Sequence, residues 1–377
     1  MKLCAPRRRA GLALVVAGAL AFGAGCTATG TPNTGDEPAP QVSDLSKHEG
    51  QVVVGGPGGA WGAALKAALD EVGAAANLRI TYQEGTTSEN MARLQAQRQS
   101  GRIEFDLVMT NDRTHTLGAG QGLWQPPNLE IMPNVAELDR TWSLPEAVFG
   151  NPPNGLRHVV ISEGLGYNTE TFAKNGWAPP TSLESLYDPK FASCAIPVNP
   201  SSGLSYLPIL NKINSGDFAA IEPTLDKFKA VAGRFPTVAQ TSSEALEFIQ
   251  QGVGCIAPVS QARTLEQAAK GAKIAFVVPE GGSGFLSAGW GIPTGAPHPI
   301  AAHVALNALI SAKASQSLLE NGFVPNTNTK VTKPTSGVAA QLSVVGEYTR
   351  LGYTEIPPST YDRLDEWSRA WDQVFTR

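Results

Sequence analysis

Between Gln51 and Thr110 three short apolar runs alternate with two helical stretches, and this alternation limits the possible folds more than any other feature. Gln51 to Val54 is a β-branched run, broken by Gly55-Gly56-Pro57-Gly58-Gly59. Trp61, Leu65, Ala68, Leu69 and Val72 then recur at helical spacing. Leu78 to Tyr82 reads as the next strand. Ser88 reads as the cap of a helix through Gln99, with Met91 and Leu94 on one face, and Phe105 to Thr110 as a third strand. Strands joined through helices imply a parallel sheet with helices on its faces. The pattern restarts at His158 to Ile161. Cys194 to Val198, Val253 to Ala257 and Lys273 to Val278 read as strands, and Thr241-Ser242-Ser243-Glu244 opens a helix ended by Gly252. Gly281-Gly282-Ser283-Gly284 reads as a flexible connection before Trp290-Gly291-Ile292-Pro293. Pro299 to Lys313 reads as helical. The last helix, Tyr361 to Phe375, carries Leu364, Trp367 and Trp371 on one stripe, a spacing that reads as core. A length of 377 residues suits two such α/β units, and no internal repeat is visible.

The first 26 residues read as a leader. Lys2, Arg7, Arg8 and Arg9 precede an uncharged stretch, Ala10 to Gly25, that is shorter than the roughly 20 residues of a membrane span. It suits a secretory signal, with a short transmembrane anchor as the other reading. Its end, Phe22-Gly23-Ala24-Gly25-Cys26, resembles a bacterial lipobox, with Gly23 where that pattern prefers Leu. The resemblance implies that Cys26 is diacylated and becomes the new N-terminus. Residues 27–47 are polar and rich in Thr, Pro and Gly, and read as a flexible tether spanning on the order of 25 Å. Loss of the four basic leader residues leaves 25 Lys and Arg against 33 Asp and Glu. A body with that balance and no basic block has little to offer a phosphate backbone, so no nucleic-acid partner is expected. It would not adhere to an anionic membrane without its lipid.

Export sets the reading of the four cysteines. Cys4 leaves with the signal and Cys26 carries lipid, so Cys194 and Cys255 remain, each in a short apolar run. They form a disulfide if their strands are neighbours, or stay as two buried thiols. No metal is expected, because neither has a His or a second Cys at ligand spacing.

The usual catalytic motifs are missing. A dinucleotide-binding G-x-G-x-x-G from Gly56 fails at Trp61. No Gly-Lys-Ser/Thr, G-x-S-x-G or S-x-x-K occurs, and His48, His115, His158, His298 and His303 are scattered. No cofactor is expected. What remains is polar turns at the carboxyl ends of strands, where open α/β sheets bind ligands. Four stand out: Gly55 to Trp61, with Gly58 and Trp61 as contacts; Asn111-Asp112-Arg113; Ser201, Ser202 and Gly203 in the turn after Pro200; and Ser260-Gln261-Ala262-Arg263. Trp290 is added as a further cleft residue. Each reads equally as a turn or a helix cap. Two come from each α/β half, so a cleft between halves would use all four.

Several segments together resemble the extracellular solute-binding proteins of ABC importers, nearest the polyamine-binding type. They are Gly166-Tyr167-Asn168-Thr169-Glu170, the run from Pro179 to Phe191, Pro279-Glu280-Gly281-Gly282 and Gly322-Phe323-Val324-Pro325-Asn326. The likeness spans residues 50 to 330, with Leu183 and Ser185 in place of the family's Trp and Asp. It implies a type II, two-lobed periplasmic-binding-protein fold, each lobe a sheet flanked by helices. Lobe 1 is expected at 48–160 plus 285–330, and lobe 2 at 161–284 plus 331–377. It implies a monomer that is exported, lipid-anchored at the outer face of the membrane or in the periplasm, and that hands a small solute to a permease without chemistry on it. At the polyamine binders' W-x-D position this chain has Leu286-Ser287-Ala288 and lacks the carboxylate that would pair with an ammonium. Arg113, Arg263 and the serine turn suit a carboxylate or phosphonate instead. An organic anion or zwitterion, an amine and a neutral solute all remain open. The competing reading is a lipid-anchored hydrolase using a pair of cleft carboxylates.

Overall fold

The computed structural model describes residues 43–375. The leader, Cys26 and most of the tether lie outside the described residues. Eight strands form one sheet: β1 (Gln51–Gly56), β2 (Arg79–Glu84), β3 (Leu107–Thr110), β4 (Trp124–Gln125), β5 (Leu156–Asn168), β6 (Ile256–Ser260), β7 (Ile274–Val277) and β8 (Gly284–Pro293). The path is β2-β1-β3-β8-β5-β6, with β4 paired to β8 and β7 to β5. β1 pairs in parallel with β2 and β3, as the alternation predicts. From β3 onward the pairings are antiparallel.

β5 and β8 give the fold its character. They are the longest strands and pair from Leu156↔Trp290 to Glu163↔Gly284. One end of β5 (Leu156, Val159, Ile161) packs in a first core with β1, β3, the helix Gly59–Ala76 and the helix Pro299–Leu309. Its other end, at Leu165, packs in a second core with β6 and the helices Tyr206–Ser215, Glu222–Val231 and Ser242–Gln250. A strand packed in two cores is buried along its length, from Leu156 to Gly166, so the polar residues it carries, Arg157, His158, Ser162 and Glu163, are buried with it. Trp367 and Trp371 are buried in the second core.

Several expected boundaries shift for local reasons. The helix expected to start at Ser88 is capped by Thr86. The Glu89 amide donates to the Thr86 hydroxyl at 3.2 Å and the Thr86 amide to the Glu89 carboxylate at 2.7 Å, a reciprocal pair that Ser88, with Met91 three residues on, cannot make. The expected strand Cys194–Val198 is reduced to single bridges from Ala195 to Ile256 and Val198 to Ala239. Pro197 has no N–H for a continuous ladder. The helix from Pro299 stops at Leu309, because Ser311 caps a second helix, Ala312–Gly322. The last helix begins at Leu364, preceded by a 3₁₀ segment, Pro358–Arg363. Gly284 is already inside β8, and the connection from β7 runs over residues 278–283.

Cys194 and Cys255 are joined in a disulfide, with Cα atoms 5.1 Å apart. It ties the turn after Phe191 to the start of β6 within the second core. A crosslink 61 residues apart in sequence removes much unfolded-chain entropy. We expect Cys194→Ser with Cys255→Ser to lower stability by about 2–4 kcal/mol in urea titrations. An unchanged midpoint would show that the bridge contributes nothing.

Candidate functional site

A cleft of about 370 Å³ opens where β5 and β8 pass between the two cores. It is lined by residues from both sides. Asn111, Asp112 and Arg113 come from the turn after β3, Ser201, Ser202 and Gly203 from the turn before the helix Tyr206–Ser215, and Glu163 from β5. Phe285, Leu286 and Ser287 come from β8, and Glu355 and Tyr361 from the C-terminal segment.

Local sequence explains how the turns are held. Asn111 caps the helix Asp112–Gly120 through the Thr114 amide at 2.9 Å. That helix is anchored by His115, whose ring stacks on Trp124 at 5.1 Å and contacts the Asn154 side chain at 2.8 Å. Burial lowers the His115 pKa to about 4, so the ring is neutral at physiological pH. Asn199 caps the turn Pro200–Ser202 through the Ser201 amide at 2.9 Å. Gly203 closes that turn at φ +70°, a conformation that a residue with Cβ adopts only with strain.

The electrostatic centre is Arg157, fully buried at 0% exposure. The pairing of β5 with β8 slips by one residue between Arg157 and Val159, a bulge that aims the guanidinium off the regular ladder. Arg157 Nε and Nη2 donate to Asp112 at 3.2 and 2.6 Å. Nη1 and Nη2 donate to Glu355 at 2.6 and 3.1 Å, and Nη1 also to the Trp142 carbonyl at 3.1 Å. The Phe285 ring lies 5.1 Å from the guanidinium carbon. All its donors are occupied, as a buried guanidinium requires. Glu355 is the looser partner, with 44% of its side chain exposed.

Glu163 is the second charged feature. It is 4% exposed, and its Oε2 accepts from the Ser205 amide at 2.7 Å and from the Ser205 hydroxyl. Burial raises its pKa, opposed by those two bonds. Tyr361 is pushed well above the usual phenol value by burial, then by the nearby Glu163 and Asp112 carboxylates.

Of the residues expected from sequence, six line this cleft: Asn111, Asp112, Arg113, Ser201, Ser202 and Gly203. The other six do not. Gly58 is exposed in its loop, and Trp61 packs on the first core. The glycines before them serve packing. A Cβ on Gly56 would lie 2.3 Å from the Tyr82 hydroxyl, which donates to the Pro57 carbonyl. Trp290, at 0% exposure, is a core residue rather than a cleft wall, because its place on β8 faces the first core. Ser260 and Gln261 are buried, and Gln261 donates to the Gln341 carbonyl at 3.1 Å. Arg263 is exposed outside the cleft. Arg113 lies 3.9 Å from Asp362, an exposed pair of little energetic weight. Sequence reasoning missed Arg157, Glu163, Phe285, Glu355 and Tyr361. A lone carboxylate inside the apolar run His158 to Leu165 was a usable sign of Glu163, whereas no sequence signal marks Glu355.

Among the described residues no group of three or more His, Cys, Asp and Glu is placed to hold a metal, and no helix is long and apolar enough to cross a membrane. The sequence profile of the bacterial extracellular solute-binding proteins matches residues 67–342, and the chain belongs to that family. The family binds small solutes and delivers them to ABC permeases, without chemistry on the solute. Among solved structures, an ABC transporter substrate-binding protein from Bradyrhizobium japonicum shares 18% identity at a TM-score of 0.69, covering 86% of this chain and 99% of its own. A periplasmic binding protein from Actinobacillus pleuropneumoniae shares 16% at 0.64, covering 87% and 99%. One from Agrobacterium tumefaciens shares 19% at 0.64, covering 86% and 99%. These are likenesses of fold, and they carry the periplasmic-binding-protein architecture. Among curated proteins none matches. The hydrolase reading falls with the family, and two of the cleft carboxylates, Asp112 and Glu355, are joined by Arg157.

Removing Arg157 would leave Asp112 and Glu355 facing each other without their cation. We expect Arg157→Leu to cost about 3 kcal/mol in urea unfolding, at the low end for a broken buried pair because Glu355 still reaches water. Glu355→Gln should cost about 1 kcal/mol. Equal losses would contradict the assignment of Arg157 as the shared centre.

Proposed function

We propose that this chain is a lipid-anchored receptor that traps one small polar solute between its two cores and presents it to an ABC permease. The observation that carries the reading is the cleft itself, whose polar lining comes from loops on both cores and from the strands that pass between them. The lobes are proposed to divide at residues 160 and 285, with 331–377 returning to the second lobe. Asn111 to Arg113 and Ser201 to Gly203 are proposed as the two facing jaws. Cys26 is proposed as the lipidated N-terminus, and the protein as an exported monomer at the outer face of the membrane.

Fold relatives leave the solute open. The Actinobacillus pleuropneumoniae protein holds fructose-6-phosphate and the Agrobacterium tumefaciens protein glucopine, at identities too low to transfer a ligand. The polyamine-type subdivision rests on the sequence motifs alone.

A thermal-shift screen of the mature protein with amines, amino acids, sugar phosphates and carboxylates should reveal one stabilising class. Mass action corresponds to about 2.7 kcal/mol at a hundredfold excess over Kd. Stabilisation by none of these classes would count against the receptor reading. In cells, Cys26→Ser should move the protein from the membrane fraction to the soluble one, and a variant that stays on the membrane would remove the anchor.

A further inference from the structure

The cleft is lined by more carboxylates than cations. Asp112, Glu163 and Glu355 line it, against Arg113 at its edge and Arg157 behind it. The Arg157 guanidinium is saturated by Asp112, Glu355 and a carbonyl, so it offers nothing to an incoming anion. Glu163 differs from the other two carboxylates. It is more than nine-tenths buried, it lines the cleft, and no guanidinium or ammonium among the described residues pairs with it. Both Ser205 donors converge on Oε2, and Oε1 receives no hydrogen bond from the described residues. With no donor from the described residues, Oε1 is left to accept from water or from a ligand in the cleft.

Resting on the receptor reading above, we propose that Glu163 is the specificity-determining residue of the cleft, and that it binds a protonated amino group of the solute through Oε1. The solute is then an amine or an amino-bearing zwitterion. The ammonium supplies the missing donor, and its positive charge suits a lining with more carboxylates than cations. The carboxylate that the Leu286-Ser287-Ala288 segment lacks is contributed from β5 instead, three strand positions from where Ser287 faces Val160. Phe285 and Leu286 offer apolar surface for the carbon skeleton.

Binding should also report on the proton. Burial raises the Glu163 pKa, and a bound ammonium, which favours the carboxylate form, lowers it. Affinity therefore rises as pH rises through the Glu163 titration, while an alkyl amine stays charged to about pH 10. Ser205 donates to Glu163, and the other titratable groups that line the cleft with it are Asp112, Arg113, Glu355 and Tyr361. The Tyr361 phenol is held well above its usual range and stays neutral throughout.

The test is calorimetry on the mature chain with putrescine, spermidine, arginine, fructose 6-phosphate and citrate, repeated with Glu163→Gln. We expect one of the three amino-bearing probes to bind. The variant should weaken it by about tenfold or more, the value of one charge-assisted hydrogen bond, and should flatten the pH dependence. The thermal midpoint of the unliganded variant shows whether it is folded. If it is not, the pH dependence of the unsubstituted protein decides, and affinity that is level or falls with rising pH overturns the proposal. So does full amine affinity in folded Glu163→Gln, or failure of all three amino-bearing probes. Tight binding of fructose 6-phosphate or citrate in their place overturns the amine inference and leaves the receptor reading intact. Silence from these probes and from the wider thermal screen sinks both.

Discussion

The site depends on one buried guanidinium. Arg157 sits at 0% exposure and is shared by Asp112, Glu355 and the Trp142 carbonyl. These partners come from three separate stretches of chain, and their common cation holds them in one place. A buried ion group of this kind adds little net stability over an apolar replacement, but half of it cannot be left behind. Its worth is positional. It fixes the start of the helix Asp112–Gly120 against the C-terminal segment, and so sets one wall of the cleft.

The other wall follows from the way β5 and β8 run. Because both strands pass from the first core toward the second, the sheet is hydrogen-bonded from β2 to β6 while its apolar packing is divided. Polar residues survive in the space between the cores, where water or a ligand satisfies them. Ser162 and Ser283 satisfy each other there at 3.0 Å, and Glu163 takes both donors of Ser205. The disulfide lies within the second core, so it braces one side of the cleft without restricting the strands that cross it.

Much of the fold was legible from local signals. The parallel start, the capped helix at Thr241 and the buried stripe of Trp367 and Trp371 were all readable as periodicity and capping chemistry. Errors came where a neighbouring residue overruled the pattern. Pro197 denied a ladder to the run after Cys194, and Ser311 opened a new helix inside an unbroken apolar period. The site was half legible. The turns at Asn111 and at Ser201, the latter capped by Asn199, reach the cleft, whereas in the turn after Ser260 the Gln261 side chain is bonded to Gln341 and Ser343. Asn111 and Asn199 cap their turns through side-chain hydrogen bonds, whereas Ser260 makes none, and residue type alone does not separate them.

By itself the amino-acid order determined the alternation of strand and helix, the caps and the apolar faces, because these depend on residues within a few positions of each other. It also carried the family resemblance, through short motifs in a set order. Tertiary structure alone decided which charges meet. Arg157 and Glu355 are 198 positions apart, and Glu163 and Ser205 are 42 apart. Electrostatic pairing and desolvation act through distance in space, so their outcome exists only once the chain has brought those positions together.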